Sequence, residues 1–128
     1  MVSVLVVDDD SDFRDWTATI LKGRGHAVVA ISSARFLIVR AHGTQLPLMF
    51  DAAVVDMLMP DIDGIETIRA LKRLSPSIKI LAVSGGGDYG DTEGYLKMAE
   101  RFGATGRLAK PFCAVDLCHA LEQILGSS

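Results

Sequence analysis

The sequence predicts an α/β domain in which five strands and five helices alternate, (βα)5, with the strands forming one doubly wound parallel sheet that carries helices on both faces. Two observations carry this. Five short apolar runs rich in β-branched residues recur along the chain, and the segments between them repeat their apolar residues at helical spacing. Length is the third: 128 residues support one buried core and are too few for two comfortable ones.

The strands are expected at Val2–Val7, Ala27–Ile31, Ala52–Val55, Ile78–Val83 and Arg107–Ala109. Several are almost continuously apolar, as parallel strands covered on both faces should be. In the first helix Phe13, Trp16, Ile20 and Leu21 share one face, with Ser11 as the expected N-cap and Gly25 just past the end. The second helix, Ser33 to His42, is the least periodic, since its apolar residues are contiguous. Ile65, Ile68, Leu71 and Leu74 mark the third, ended by Ser75-Pro76. Tyr95, Met98, Ala99 and Phe102 form the expected stripe of the fourth, and Ala114, Leu117, Cys118, Leu121 and Leu125 that of the fifth. No repeat, linker or low-complexity tract interrupts the pattern. Residues 1–126 are therefore expected to make one domain, with no effector domain in this chain.

Composition narrows the function classes. With 49% hydrophobic and 23% charged residues the chain has the profile of a soluble globular protein. No apolar run approaches the ~20 residues of a membrane span. The N-terminus lacks the basic region of a leader peptide, and aspartates stand where cleavage would occur, so a cytoplasmic location is expected. Cys113 and Cys118 fall on different sides of a helix, which argues against a disulfide between them. A net charge of −3 from 16 acidic and 13 basic residues gives no nucleic-acid surface. His26, His42 and His119 are scattered without metal-ligand spacing and are expected at the surface.

The acidic residues are unevenly placed. Asp8, Asp9, Asp10, Asp12 and Asp15 fall within eight residues, balanced only by Arg14. They suit either a solvated loop or a cation site. Open α/β sheets bind ligands beyond the carboxyl ends of their strands. Strand 1 delivers Asp8 and Asp9 there, strand 3 Asp56, strand 4 Ser84 and strand 5 Lys110. Converging carboxylates repel one another and make an oxygen-rich site for a hard divalent cation such as Mg²⁺. Mg²⁺ would neutralise that repulsion and coordinate a phosphoryl oxygen. Asp56 could then act as a nucleophile toward phosphorus. Lys110 offers a point charge and Ser84 a hydroxyl donor to phosphoryl oxygens.

These residues lie in stretches that resemble the receiver domain of two-component response regulators, as in the chemotaxis response regulator. The stretches are Val4-Leu5-Val6-Val7-Asp8-Asp9-Asp10, Asp56-Met57-Leu58-Met59-Pro60-Asp61-Ile62-Asp63-Gly64, Leu81-Ala82-Val83-Ser84-Gly85 and Lys110-Pro111-Phe112. The resemblance implies a flavodoxin-like sheet with strand order 2-1-3-4-5. It implies a phosphoprotein of signal transduction or a phosphorelay, not an enzyme beyond its own phosphorylation and dephosphorylation. Asp56 would accept a phosphoryl group from a sensor histidine kinase or histidine phosphotransfer protein. The surface of the fourth strand, fourth helix and fifth strand would then switch to control a downstream output protein. The metal set implied is Asp8 through water, Asp9 and Asp56 directly, and the main-chain carbonyl of Leu58. Gly64 would support the tight turn over the site, and the Lys110–Pro111 peptide would be cis.

The chain departs from the family at three places. A Tyr, Phe or His usually stands three residues before the lysine and swings inward on activation together with the hydroxyl residue, here Ser84. This chain has Arg107. Burying an unpaired guanidinium is strongly unfavourable, so Arg107 is expected to stay at the surface, paired with Glu93 or Glu100. The Gly85–Gly94 stretch is long and glycine-rich, and reads either as a segment ordered by phosphorylation or as a tolerated insertion. Leu58 and Gly86 give no side chain to orient an attacking water, which implies slow self-dephosphorylation.

One rival is an enzyme. Asp8-x-Asp10 after an apolar strand is similar to the haloacid-dehalogenase phosphatases, with Asp8 as nucleophile and Asp10 as acid/base. That reading leaves Asp56-Met57-Leu58-Met59-Pro60 unexplained, and no second acidic motif follows Lys110. A pseudo-receiver that never takes phosphate is the other rival, and the complete acidic set argues against it.

Overall fold

The structure, a computed structural model, describes residues 1–35, 37, 38, 49–58, 64–85 and 92–126. Its elements are β1 (Ser3–Val7), α1 (Ser11–Gly23), β2 (Ala27–Ile31), β3 (Ala52–Asp56), α2 (Gly64–Leu74), β4 (Lys79–Gly85), α3 (Thr92–Arg101), β5 (Gly106–Lys110) and α4 (Ala114–Leu125). The strands pair in parallel as β2-β1-β3-β4-β5, the order expected. Of the expected helix from Ser33 to His42, Arg35, Leu37 and Ile38 are helical, and Phe36 and residues 39–42 lie outside the described residues.

The sheet divides the core by strand alternation. Leu5, Val7, Ala53, Val55, Ile80 and Ala82 point to one face, where they meet Ile68 and Leu71 of α2 and Leu96 and Ala99 of α3. Val4, Val6, Val54, Leu81 and Val83 point to the other, against Leu21 of α1 and Leu117, Leu121 and Ile124 of α4. Both faces of the central strands are therefore apolar, which is why their sequences read as continuous hydrophobic runs rather than alternating ones. β3 is buried along its whole length, whereas edge strand β2 exposes Ala27, Val29 and Ala30.

Two local expectations are corrected. Asp10, not Ser11, caps α1: its Oδ1 accepts the backbone N–H groups of Asp12 at 3.1 Å and Phe13 at 3.3 Å. The helix begins at Ser11, so the residue before it has the reach to those amides. In α3 the buried side chains are Leu96 and Ala99, while Tyr95, Met98 and Phe102 are exposed. Phe102 instead lies under the Arg69 guanidinium of α2, 5.8 Å from ring centroid to carbon. At Gly64 there is no room for a Cβ, which would lie 2.4 Å from Met57 Sδ, and the turn that precedes it lies outside the described residues. The cysteines are free, Cys113 exposed and Cys118 buried. Among the described residues no helix is long and apolar enough to cross a membrane.

Candidate functional site

Parallel pairing brings the strand ends to one edge of the sheet. Asp8 follows β1, Asp56 ends β3, Ser84 is next to last in β4 and Lys110 ends β5. Asp8 and Asp56 are 3% and 5% exposed, while Asp9 is open to solvent. Asp8, Asp9 and Asp56 each place a carboxylate oxygen within 4.8 Å of the other two. Two like charges this close in a buried place cannot both ionise cheaply. Burial first, and then the neighbouring Asp8 carboxylate, push Asp56 up to about 7, against the pull of Lys110 and of the Leu58 N–H. The donor set is hard, anionic and all oxygen, and a divalent cation would relieve that strain, so the residues fit Mg²⁺.

Two of the three carboxylates are held by backbone. The Leu58 N–H donates to Asp56 Oδ1 at 3.2 Å, and the Asp10 N–H donates to Asp8 Oδ1 at 3.0 Å. Arg14 reaches back from α1 and donates to the Asp8 carbonyl at 2.9 Å, tying the end of β1 to the helix that follows. Lys110 Nζ lies 3.3 Å from Asp8 Oδ2. It is therefore paired with the first acidic residue rather than with Asp56. The Lys110–Pro111 peptide is cis, as expected. Ser84 is fully buried, and its hydroxyl is without a hydrogen-bond partner among the described residues. A buried hydroxyl left unpaired costs stability, and a phosphoryl oxygen at the adjoining carboxylate would satisfy it.

Asp10 is turned away from this cluster by its cap, which removes the acid/base that the phosphatase reading requires. Replacing Asp9 by Ala is expected to weaken Mg²⁺ binding at least about tenfold, or ~1.4 kcal/mol. Asp10→Ala is instead expected to cost about 1 kcal/mol of folding stability through the lost cap and to leave Mg²⁺ affinity nearly unchanged. Metal titration and urea unfolding of the two variants separate these effects.

The arrangement is matched by known proteins. The response regulator receiver domain family covers residues 4–122. The chain belongs to the response-regulator receiver family. The receiver is 29% identical over 123 residues to the chemotaxis protein CheY of Listeria monocytogenes, covering 96% of this chain and 98% of that protein. It is 30% identical over 124 residues to the transcriptional regulatory protein ZraR of Escherichia coli, covering 97% of this chain but only 26% of ZraR. Among solved structures, the receiver domain of NtrX from Brucella abortus superposes with a TM-score of 0.79 at 26% identity, over 98% of this chain and 99% of that one.

Arg107 stays at the surface, as expected of a guanidinium on an edge strand. Its Nη1 pairs with Glu93, and its Nε lies 3.5 Å from Glu100, so two carboxylates of α3 clasp one cation of β5. His119 is exposed, and half-buried His26 accepts a hydrogen bond from the Val2 N–H at Nδ1. His42, Met59-Pro60-Asp61-Ile62-Asp63 and Gly86–Asp91 lie outside the described residues. Sequence reasoning missed the Asp10 cap and the ring of Phe13, which lies beside Lys110. By its spacing Phe13 belongs to the helix stripe, and nothing in spacing separates a core ring from one at the edge of a site.

Proposed function

We propose that residues 1–126 form a phosphorylation switch whose acceptor is Asp56. The observation that carries this reading is the junction of three groups at one sheet edge: the carboxylate cluster of Asp8, Asp9 and Asp56, the orphaned hydroxyl of buried Ser84, and the ammonium of Lys110. An Asp56 carboxylate oxygen attacks the phosphorus of a phosphohistidine on a sensor histidine kinase or a phosphotransfer protein. A P–O bond forms, the P–N bond breaks, and its electron pair returns to the imidazole nitrogen. Asp8, Asp9, Asp56 and the Leu58 main-chain carbonyl would hold Mg²⁺, which supplies charge neutralisation and a ligand position for a phosphoryl oxygen. Ser84 donates its hydroxyl to another phosphoryl oxygen, and Lys110 exchanges Asp8 for a third.

The readout runs through β4, α3 and β5. Ser84 sits on β4, and the Arg107 clasp joins β5 to α3, so movement of Ser84 toward a phosphoryl group changes the bed on which α3 rests. An inward aromatic swing has no counterpart at Arg107, and the output protein would recognise the repositioned α3 surface. The chain's chemistry is confined to taking up and losing one phosphoryl group.

Phosphoramidate with Mg²⁺ tests the reading. One phosphoryl group per chain should appear, and reductive trapping with borohydride should map it to Asp56. Asp56→Asn should abolish uptake. Undiminished labelling of that variant, or trapping at Asp8, would overturn the assignment.

A further inference from the structure

Lys110 is held from two sides. Its Nζ lies 3.3 Å from Asp8 Oδ2 and 3.8 Å from the centroid of the Phe13 ring. The side chain is 20% exposed, so most of it is withdrawn from water. An ammonium has three N–H donors and no acceptor, and here it is offered one carboxylate and one aromatic face. The ring is itself fixed. Phe112 meets it edge-on at 5.4 Å, Trp16 lies 5.7 Å away, and Trp16 and Phe112 are 5.9 Å apart. The backbone beneath it is fixed as well, because the Phe13 N–H is bound by the Asp10 cap. Three rings from α1 and the start of the β5–α4 connection thus form a wall, and Phe13 is the member that faces the ammonium.

The two anchors differ in kind. Asp8 is charged and belongs to the carboxylate cluster, so its attraction for Lys110 falls when a cation engages it. The ring carries no net charge and attracts through its quadrupole, which a cation at Asp8 does not consume. We propose that Phe13 is a positioning residue for phosphoryl recognition. Its ring keeps the Lys110 ammonium within electrostatic reach of Asp56 after Asp8 has been engaged, so the lysine meets a phosphoryl oxygen without first being recovered from solvent. The inference rests on Asp56 being the phosphoryl acceptor.

Beryllofluoride, a phosphoryl stand-in, provides the test when titrated calorimetrically at saturating Mg²⁺. Phe13→Leu keeps an apolar side chain and removes the π face. It should weaken beryllofluoride binding about fivefold, which is about 1 kcal/mol. Phe13→Tyr, which retains the face, should restore binding to within about twofold. Lys110→Ala should weaken binding on its own, and Phe13→Leu added to it should change nothing further, because the ring acts through the lysine. If Phe13→Leu does not fold, Phe13→Met carries the same expectations. Wild-type affinity in Phe13→Leu, or an equal loss with and without Lys110, would overturn the inference and leave the acceptor assignment standing. A wild-type chain that binds no beryllofluoride would overturn the acceptor assignment, and this inference with it.

Discussion

Without a divalent cation, Asp56→Asn is expected to gain stability over wild type as pH rises, by about 2 kcal/mol between pH 5 and pH 8. Asp56 is pushed up from 3.8 to about 7 in the folded chain, by burial first and the Asp8 carboxylate second. Between those two values the folded state holds a proton that the unfolded state has lost. Stability therefore falls as pH rises from about 4 to about 7, and the whole penalty of the buried charge is present above that. Asparagine has no charge to desolvate, so the variant lacks this slope. Urea unfolding of both proteins in EDTA at pH 5, 6.5 and 8 gives the difference directly. A constant difference across that range would remove the charge-repulsion account of the site. Mg²⁺ should flatten the wild-type profile, since it binds the folded carboxylates and lowers their cost.

Gly64→Ala is the second large effect, with an expected loss on the order of 3 kcal/mol and a fall in melting temperature on the order of 10 °C. A Cβ at Gly64 would lie 2.4 Å from Met57 Sδ and 2.6 Å from Met57 Cα. The sulfur can rotate away, but the Cα belongs to backbone that is already committed. The Met57 N–H donates to the Val83 carbonyl at 2.8 Å, and the Met57 carbonyl accepts the Gly64 N–H at 3.2 Å. A methyl group there would force the start of α2 away from the chain one residue past Asp56. Mg²⁺ affinity should therefore fall together with stability. Gly23→Ala is the control: nothing lies within 4 Å of its would-be Cβ, and it closes α1, so the change should be neutral or stabilise by up to about 1 kcal/mol. Equal melting temperatures for Gly64→Ala and wild type would contradict the packing described.

What could be read from the residues alone followed from topology. Once the strands are parallel, their carboxyl ends share an edge, and Asp8, Asp56, Ser84 and Lys110 come together whatever the loops do. What could not be read depended on tertiary placement. Leu96 and Ala99 lie beside Tyr95, Met98 and Phe102 on one broad apolar arc, and only the sheet decides which set is buried. Asp10 and Ser11 are both good caps, and the choice depends on where the first turn closes. The want of room at Gly64 comes from Met57, seven residues earlier, which no local pattern reveals. The pairing of Lys110 with Asp8 rather than Asp56 is a matter of ångströms at the ends of long side chains.

The clasp of Arg107 by Glu93 and Glu100 has a consequence for the medium in which this receiver works. The three side chains are 38%, 55% and 45% exposed, so water and mobile ions reach all of them. Contacts of this kind contribute at most about 1 kcal/mol, and they fade as the screening distance shrinks from about 10 Å at 0.1 M to about 3 Å at 1 M electrolyte. A ring at the same position would hold by apolar burial, which added electrolyte does not screen. The hold of β5 on α3 should accordingly loosen with ionic strength. Amide exchange across residues 92–101 should quicken between about 0.1 M and 1 M sodium chloride, and Arg107→Leu should abolish that dependence. Ionic strength would then set how firmly β5 holds α3 in this receiver, independently of any phosphoryl donor.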